Sequence, residues 1–247
     1  MYLYWMIYAV VLGSAFIKRK FHMDWVLVTL AVSLHAIYFY GWIGIVLLLV
    51  IASVSTIAEL LSLKTKFNIF GVTYTYNLSN SMFRSRIAIA NVYPLEVTAA
   101  WVFFKYMAMY LSAVICSYFG LSSAMRIFLS AIALVSFDLL IDPVAVRHGA
   151  WQWAKGGIFF NIPWQNFLGW FVVGLCVSTV FINLEAKAGI HPLMTIPVLF
   201  TWSLFPMSFG KKLMRIDTLK GIFAVIPSTS FLLVGSAITM MQMLGIK

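Results

Sequence analysis

The sequence predicts an all-α, polytopic transmembrane helix bundle of about eight spans (seven is the alternative) with its N-terminus outside, and three observations carry that prediction. The first is composition: 63% of the 247 residues are hydrophobic and the mean hydropathy is +0.97, more apolar surface than a water-soluble domain of this size can bury. The second is the succession of apolar runs of crossing length, separated by polar connections. The third is charge. With the N-terminus outside, 13 of the 17 Lys and Arg residues fall on the inner side: Lys18 to Lys20, Lys64, Lys66, Arg84, Arg86, Arg147, Lys155, Lys211, Lys212, Arg215 and Lys220. Only Lys187 and Lys247 fall outside, the asymmetry expected when cationic loops stay cytoplasmic.

Each element follows in order. "MYLYWMIYAVVLGSAFIKRK" carries its charges after the apolar run and has no small-residue cleavage site, so residues 2–17 read as a first span rather than a signal peptide. Residues 25–63 are too long for one crossing. "YGWIG" at 40–44 supplies a turn, dividing them into spans 25–40 and 42–63, the first of them short. In the connection 64–94, rich in aromatics, Asn and Gly, Tyr74 and Tyr76 alternate as in an extended strand. It either forms an aromatic belt at the headgroups or dips back toward the bundle. Spans 95–119 and 121–141 follow, then a second long connection, 142–162, and spans 163–184, 189–209 and 221–244.

Residues 1–247 thus read as a single integral membrane domain. No internal repeat supports a transporter of inverted halves. The net charge of +10 flanks the apolar runs instead of forming a soluble basic patch, so no nucleic-acid partner is expected. Cys116 and Cys176 lie inside apolar runs and suggest neither a disulfide framework nor a metal site. Oligomeric state is left open.

The chain has seven acids. Asp24 and Asp217 border lysine-rich inner ends, and Glu185 stands beside Lys187 on the outer side, so solvated roles suffice. Glu59, Glu96, Asp138 and Asp142 instead fall at one depth, toward the cytoplasmic side, although an ionisable group at a helix centre costs about 2.5–3.5 kcal/mol on insertion scales. Glu59 either pairs with Lys64 or the headgroups, or belongs to this layer. Glu96 suits a first-turn acid. Asp142 before Pro143 suits an N-cap with proline at the first helical position, or, if the helix persists, shares a face with Asp138. Asp138 is apolar-flanked with no basic residue within a turn. Such surroundings favour the neutral acid, and a neutral carboxylic acid in an apolar pocket is a proton donor. His35 and His191 have no acidic neighbours and suit packing or hydrogen bonding; His148, beside Arg147, suits a solvated loop.

"DLLIDPVAVRHGAWQW" followed by "NIPWQNFLGW" resembles the signature of the membrane-bound carotenoid hydratases, which include the γ-carotene 1′,2′-hydratases and the bisanhydrobacterioruberin hydratases. "AELLSLKTKFNIFGVTYTY" and "NVYPLEV" are similar to that family's upstream segments, so the resemblance covers a core of about residues 59–170. It implicates Glu59, Asp138, Asp142, Trp151, Asn166, Gly169 and Trp170. The chain departs from the pattern at Lys66, where the family has glycine, at Leu60, and at "IFFN" (158–161), which replaces a Tyr-Tyr-Gly-like run.

The resemblance implies a hydro-lyase of carotenoid biosynthesis acting on a long isoprenoid or carotenoid in the lipid bilayer. It would add water across the terminal C=C of an acyclic or monocyclic carotenoid, without cofactor or metal, at a site toward the cytoplasmic side of the cell membrane. Protonation of the alkene would give a tertiary carbocation that water captures. Asp138 is the expected acid, with Asp142 as partner or second candidate. Glu59 would remain ionised to stabilise the cation or take a proton from water. Trp151, Trp153, Tyr74 and Tyr76 offer π faces to a cation, with interfacial packing as the alternative. Asn166 either holds the water or makes a helix–helix hydrogen bond, and Trp170 completes the substrate-binding set. Three rival readings remain: an intramembrane prenyltransferase, a carotenoid cyclase, and a proton-coupled carrier or lipid-binding membrane protein.

Overall fold

The computed structural model describes residues 25–65, 67–188 and 209–245. The expected span 2–17, the span 189–209 apart from Phe209, and Lys66 and His191 lie outside them. The described residues form six long helices: α1 (Trp25–Tyr40), α2 (Trp42–Lys64), α3 (Leu95–Phe119), α4 (Ser123–Arg147), α5 (Trp164–Ala188) and α6 (Thr218–Met243). Five of them, α2 to α6, are long and apolar enough to cross a membrane. Helix α1 is described over 16 residues.

The expectation of a purely helical chain needs one amendment. Two short antiparallel ladders occupy the long connections: β1 (Tyr74–Tyr76) pairs with β4 (Trp151–Trp153), and β2 (Ala88–Ile89) with β3 (Tyr93–Pro94).

Local chemistry explains the boundaries. Gly41 separates α1 from α2 at φ 59 and ψ −141, backbone essentially open only to glycine. Helix α3 ends at Gly120 in the left-handed conformation, and Leu121 N–H returns to the Cys116 carbonyl at 2.9 Å, a closure that satisfies an end carbonyl. Ser122 caps α4 by accepting from Met125 N–H, and Asp217 caps α6 by accepting from Lys220 N–H at 3.0 Å.

Helix α3 is the core of the bundle. Every residue from Trp101 to Cys116 is buried, because α1, α2, α4 and α6 pack around it. Lys105, midway along this stretch, donates to Ser130 Oγ of α4 at 2.8 Å and Ser178 Oγ of α5 at 2.6 Å.

Two local expectations fail for tertiary reasons. Helix α4 does not stop at 141; it runs through Pro143 to Arg147, so Asp142 is no N-cap but lies inside a helix. A proline in a helix interior costs about 3 kcal/mol. Burial of Val144 and Ala145 opposes that cost, as do the bonds from His148 and Ala150 N–H to the Val144 and Ala145 carbonyls, 3.0 and 2.9 Å. Glu185 is not solvated beside Lys187. It is buried and paired with Arg126 of α4, the partner a buried carboxylate requires.

Candidate active site

The C-terminal ends of α2 and α4 and the N-terminal ends of α3 and α5 meet at one end of the bundle. That alternation brings Glu59, Glu96, Asp138, Asp142 and Asn166 together from four helices, all of them buried.

Asp138 and Asp142 are one turn apart on the same face of α4, as residues four apart must be. Both reach Asn166 in the first turn of α5, whose Nδ2 donates to Asp138 Oδ2 at 3.0 Å and to Asp142 Oδ2 at 2.5 Å. The other oxygen of Asp138, Oδ1, is buried and has no partner among the described residues. The start of α5 is held against the 67–71 loop by Gly169. A Cβ there would lie 2.5 Å from Phe70 Cδ1 and 2.9 Å from the Ile69 carbonyl oxygen, so only glycine permits this approach.

Glu59 does not pair with Lys64. Its Oε2 accepts from the hydroxyls of Tyr74 and of Tyr76 (3.0 Å for the latter), and its Oε1 from Trp101 Nε1 at 3.0 Å. Burial first, and the nearby Glu59 carboxyl second, hold both tyrosine hydroxyls far above ordinary phenol values, so each stays protonated and acts on Glu59 as a donor.

The ladder of β1 and β4 makes the aromatic wall. Its register sets Tyr74 opposite Trp153 and Tyr76 opposite Trp151, with Thr75 opposite Gln152. Alternation along a strand therefore puts four aromatic rings on one face and two polar side chains on the other. Ring centroids are 4.7 Å apart for Tyr74 and Trp153 and 5.6 Å for Tyr76 and Trp151. Across the site Trp101 stacks on Trp170 at 3.9 Å with planes 14° apart.

These groups line a cavity of about 40 Å³, room for a water-sized guest or two. Glu59, Tyr74, Tyr76, Asp142, Trp151, Trp153, Asn166 and Trp170 all reach its wall; Asp138 does not, and stands one helical turn behind Asp142. Trp153 Nε1 is buried without a partner among the described residues, an unused donor at the wall. Beyond Tyr76 and Trp151, which it shares with the cavity, lies a second space of about 350 Å³ bordered by Thr75, Asn77 and Gln152, a polar vestibule. Among the described residues no group of three or more His, Cys, Asp or Glu side chains is arranged to hold a metal ion.

Two contributors escape a reading of the sequence. Trp101 carried a signal: a tryptophan inside a span must find an acceptor for its N–H, and here that acceptor is Glu59. Phe70 carried none. Glu96 lines the cavity, and beyond its place in the first turn of α3 its Oε1 accepts from Ser85 N–H at 2.6 Å, while Oε2 has no partner among the described residues. His35 is buried with Nδ1 2.7 Å from the Tyr106 hydroxyl, and His148 ends α4 at the surface. At the "IFFN" departure, Asn161 takes φ 65, a left-handed conformation that asparagine adopts most readily after glycine.

No protein of curated function and no solved structure is significantly similar to this chain. The sequence pattern of the family described as carotenoid biosynthesis protein matches residues 21–234, a stretch that contains every helix of the site and extends on both sides of the 59–170 core. The chain belongs to the carotenoid biosynthesis protein family.

Proposed function

We propose that the protein is a hydro-lyase that adds water across the terminal C=C bond of an acyclic or monocyclic carotenoid, at a site toward the cytoplasmic side of the membrane. The observation that carries this reading is the convergence of two buried carboxyls on one amide beside an aromatic-walled cavity of water-like size.

The aspartate pair acts as the acid. Asp142 is the member at the wall, so it delivers the proton to the less substituted alkene carbon, and Asp138 is the partner that resupplies it. The new C–H bond uses the alkene π electrons and leaves a tertiary carbocation. The faces of Tyr74, Tyr76, Trp151, Trp153 and Trp170 stabilise that cation. Glu59, whose three donors leave it the role of acceptor, supplies the countercharge. Water from the polar vestibule attacks the cation, guided by the unused N–H of Trp153, and its surplus proton returns to the aspartate pair. The balance is alkene plus water to tertiary alcohol, with no redox step.

A cyclase begins with the same protonation, and the aromatic wall suits its cation equally well; product mass separates the two, unchanged for cyclisation and one water heavier for hydration. The test is expression in cells that accumulate acyclic carotenoids, with pigment mass analysis in ¹⁸O-labelled water. Wild type should yield labelled tertiary alcohol. Asp142→Asn and Asp138→Asn should both insert normally and give none. Labelled alcohol from both variants would remove the pair from the chemistry, and wild-type product without ¹⁸O would remove hydration.

A further inference from the structure

A cavity of about 40 Å³ is far too small for a long isoprenoid, so the bulk of such a molecule must lie elsewhere. Against the same cavity runs a lateral groove of about 800 Å³ between α1, α2 and α3, a size ordinary for a ligand site. Two residues, Met82 and Glu96, belong to the walls of both spaces. The groove is apolar along Leu30, Leu48, Leu49, Ala52 and Ala99, and its ionisable groups, Arg84 and Glu96, sit at the end that meets the cavity. From the level of Glu59 back to Leu48 is eleven residues of α2, about 16 Å along the helix, so the groove extends from the site along the apolar length of α2, with the exposed Leu30 and Leu49 on its border.

We infer that this groove is the binding channel for the hydrocarbon chain of the substrate, which enters from the lipid, lies along α1 to α3, and passes its terminal double bond to the cavity beneath Met82. The inference rests on the hydration reading for the identity of its occupant. It is independent of that reading for its location. The small side chains of Ala52 and Ala99 give the groove its width, and Met82, unbranched and able to change rotamer without branching constraints, is the side chain that must move for the end group to enter.

The test places a photo-crosslinking amino acid at Leu49 of the full-length protein in membranes that contain an acyclic polyene hydrocarbon. The same probe at Leu233, an exposed position on α6, serves as the lipid-facing comparison. Polyene should attach at Leu49 and not at Leu233, and Ala99→Phe should abolish the Leu49 adduct. Equal labelling at the two positions, phospholipid as the sole adduct, or an adduct unaffected by Ala99→Phe would overturn the channel. Chemistry and channel fail separately: a protein that binds polyene at Leu49 but incorporates no ¹⁸O has lost only the hydration reading, and one that incorporates ¹⁸O without the adduct has lost only the channel.

Discussion

Replacing Asn166 by leucine tests the joint between α4 and α5 at the site. The two side chains are nearly isosteric, so the substitution leaves little cavity and mainly deletes the amide. Two hydrogen bonds disappear, of 3.0 Å to Asp138 and 2.5 Å to Asp142. A bond to a neutral group contributes about 0.5–1.5 kcal/mol and one to a charged group about 1.5–3 kcal/mol. The two bonds together are therefore worth roughly 1–6 kcal/mol. Asp138 then loses its amide donor, and its other oxygen already has no partner among the described residues. Denaturant titration of the protein in bicelles, followed by tryptophan fluorescence, measures the change. Asn183→Leu is the internal control: it lies on the same helix, is exposed, and bonds only its own helix at the Thr179 carbonyl, so it should stay within about 0.5 kcal/mol of wild type. If Asn166→Leu were no more destabilising than Asn183→Leu, the amide would not be holding the two carboxyls, and the account of the pair as a unit would fail.

Lys105→Met should leave stability within about 1 kcal/mol of wild type or raise it, since an apolar side chain of similar volume replaces a buried amine, whereas Lys105→Ala should cost about 2–5 kcal/mol through the cavity it opens; equal losses from both would show that the amine itself is required. Pro143→Ala restores a backbone N–H inside α4 and should stabilise the protein by up to about 3 kcal/mol, read in the same titration; destabilisation would mean that the helix depends on the proline's bend. Asp217 is held below the usual carboxylate range chiefly by the Lys220 backbone N–H. Its folded value is depressed, so its contribution is present above the unfolded value and fades as pH falls through the folded one. The advantage of wild type over Asp217→Ala should therefore vanish in acid, and an advantage that survives full protonation would remove the cap as its cause.

The helices were legible wherever one apolar run meets a clear stop. The span expected at 25–40, the turn at 40–44 and the span 95–119 coincide with α1, Gly41 and α3. The extended form of Tyr74 to Tyr76 was legible from alternation alone. Its partner was not: β4 is more than seventy residues away, and no local pattern states which strand pairs with which. The end of α4 was misjudged because a proline is a strong local signal, here outweighed by burial beyond it. Glu185 was misjudged for a related reason, as its sequence neighbour Lys187 suggested a solvated pair while its actual partner, Arg126, comes from another helix. The carboxyl layer itself emerged from span counting, because antiparallel helices return their ends to the same depth.

The central position of α3 bears on how the chain is made. During synthesis this helix enters the membrane before α4 and α5 exist, so Lys105 first meets lipid, at an insertion cost of about 2.5–3.5 kcal/mol. Its two hydroxyl partners arrive 25 and 73 residues later. Until then the helix is a metastable guest in the bilayer, and the later helices act as its rescuers.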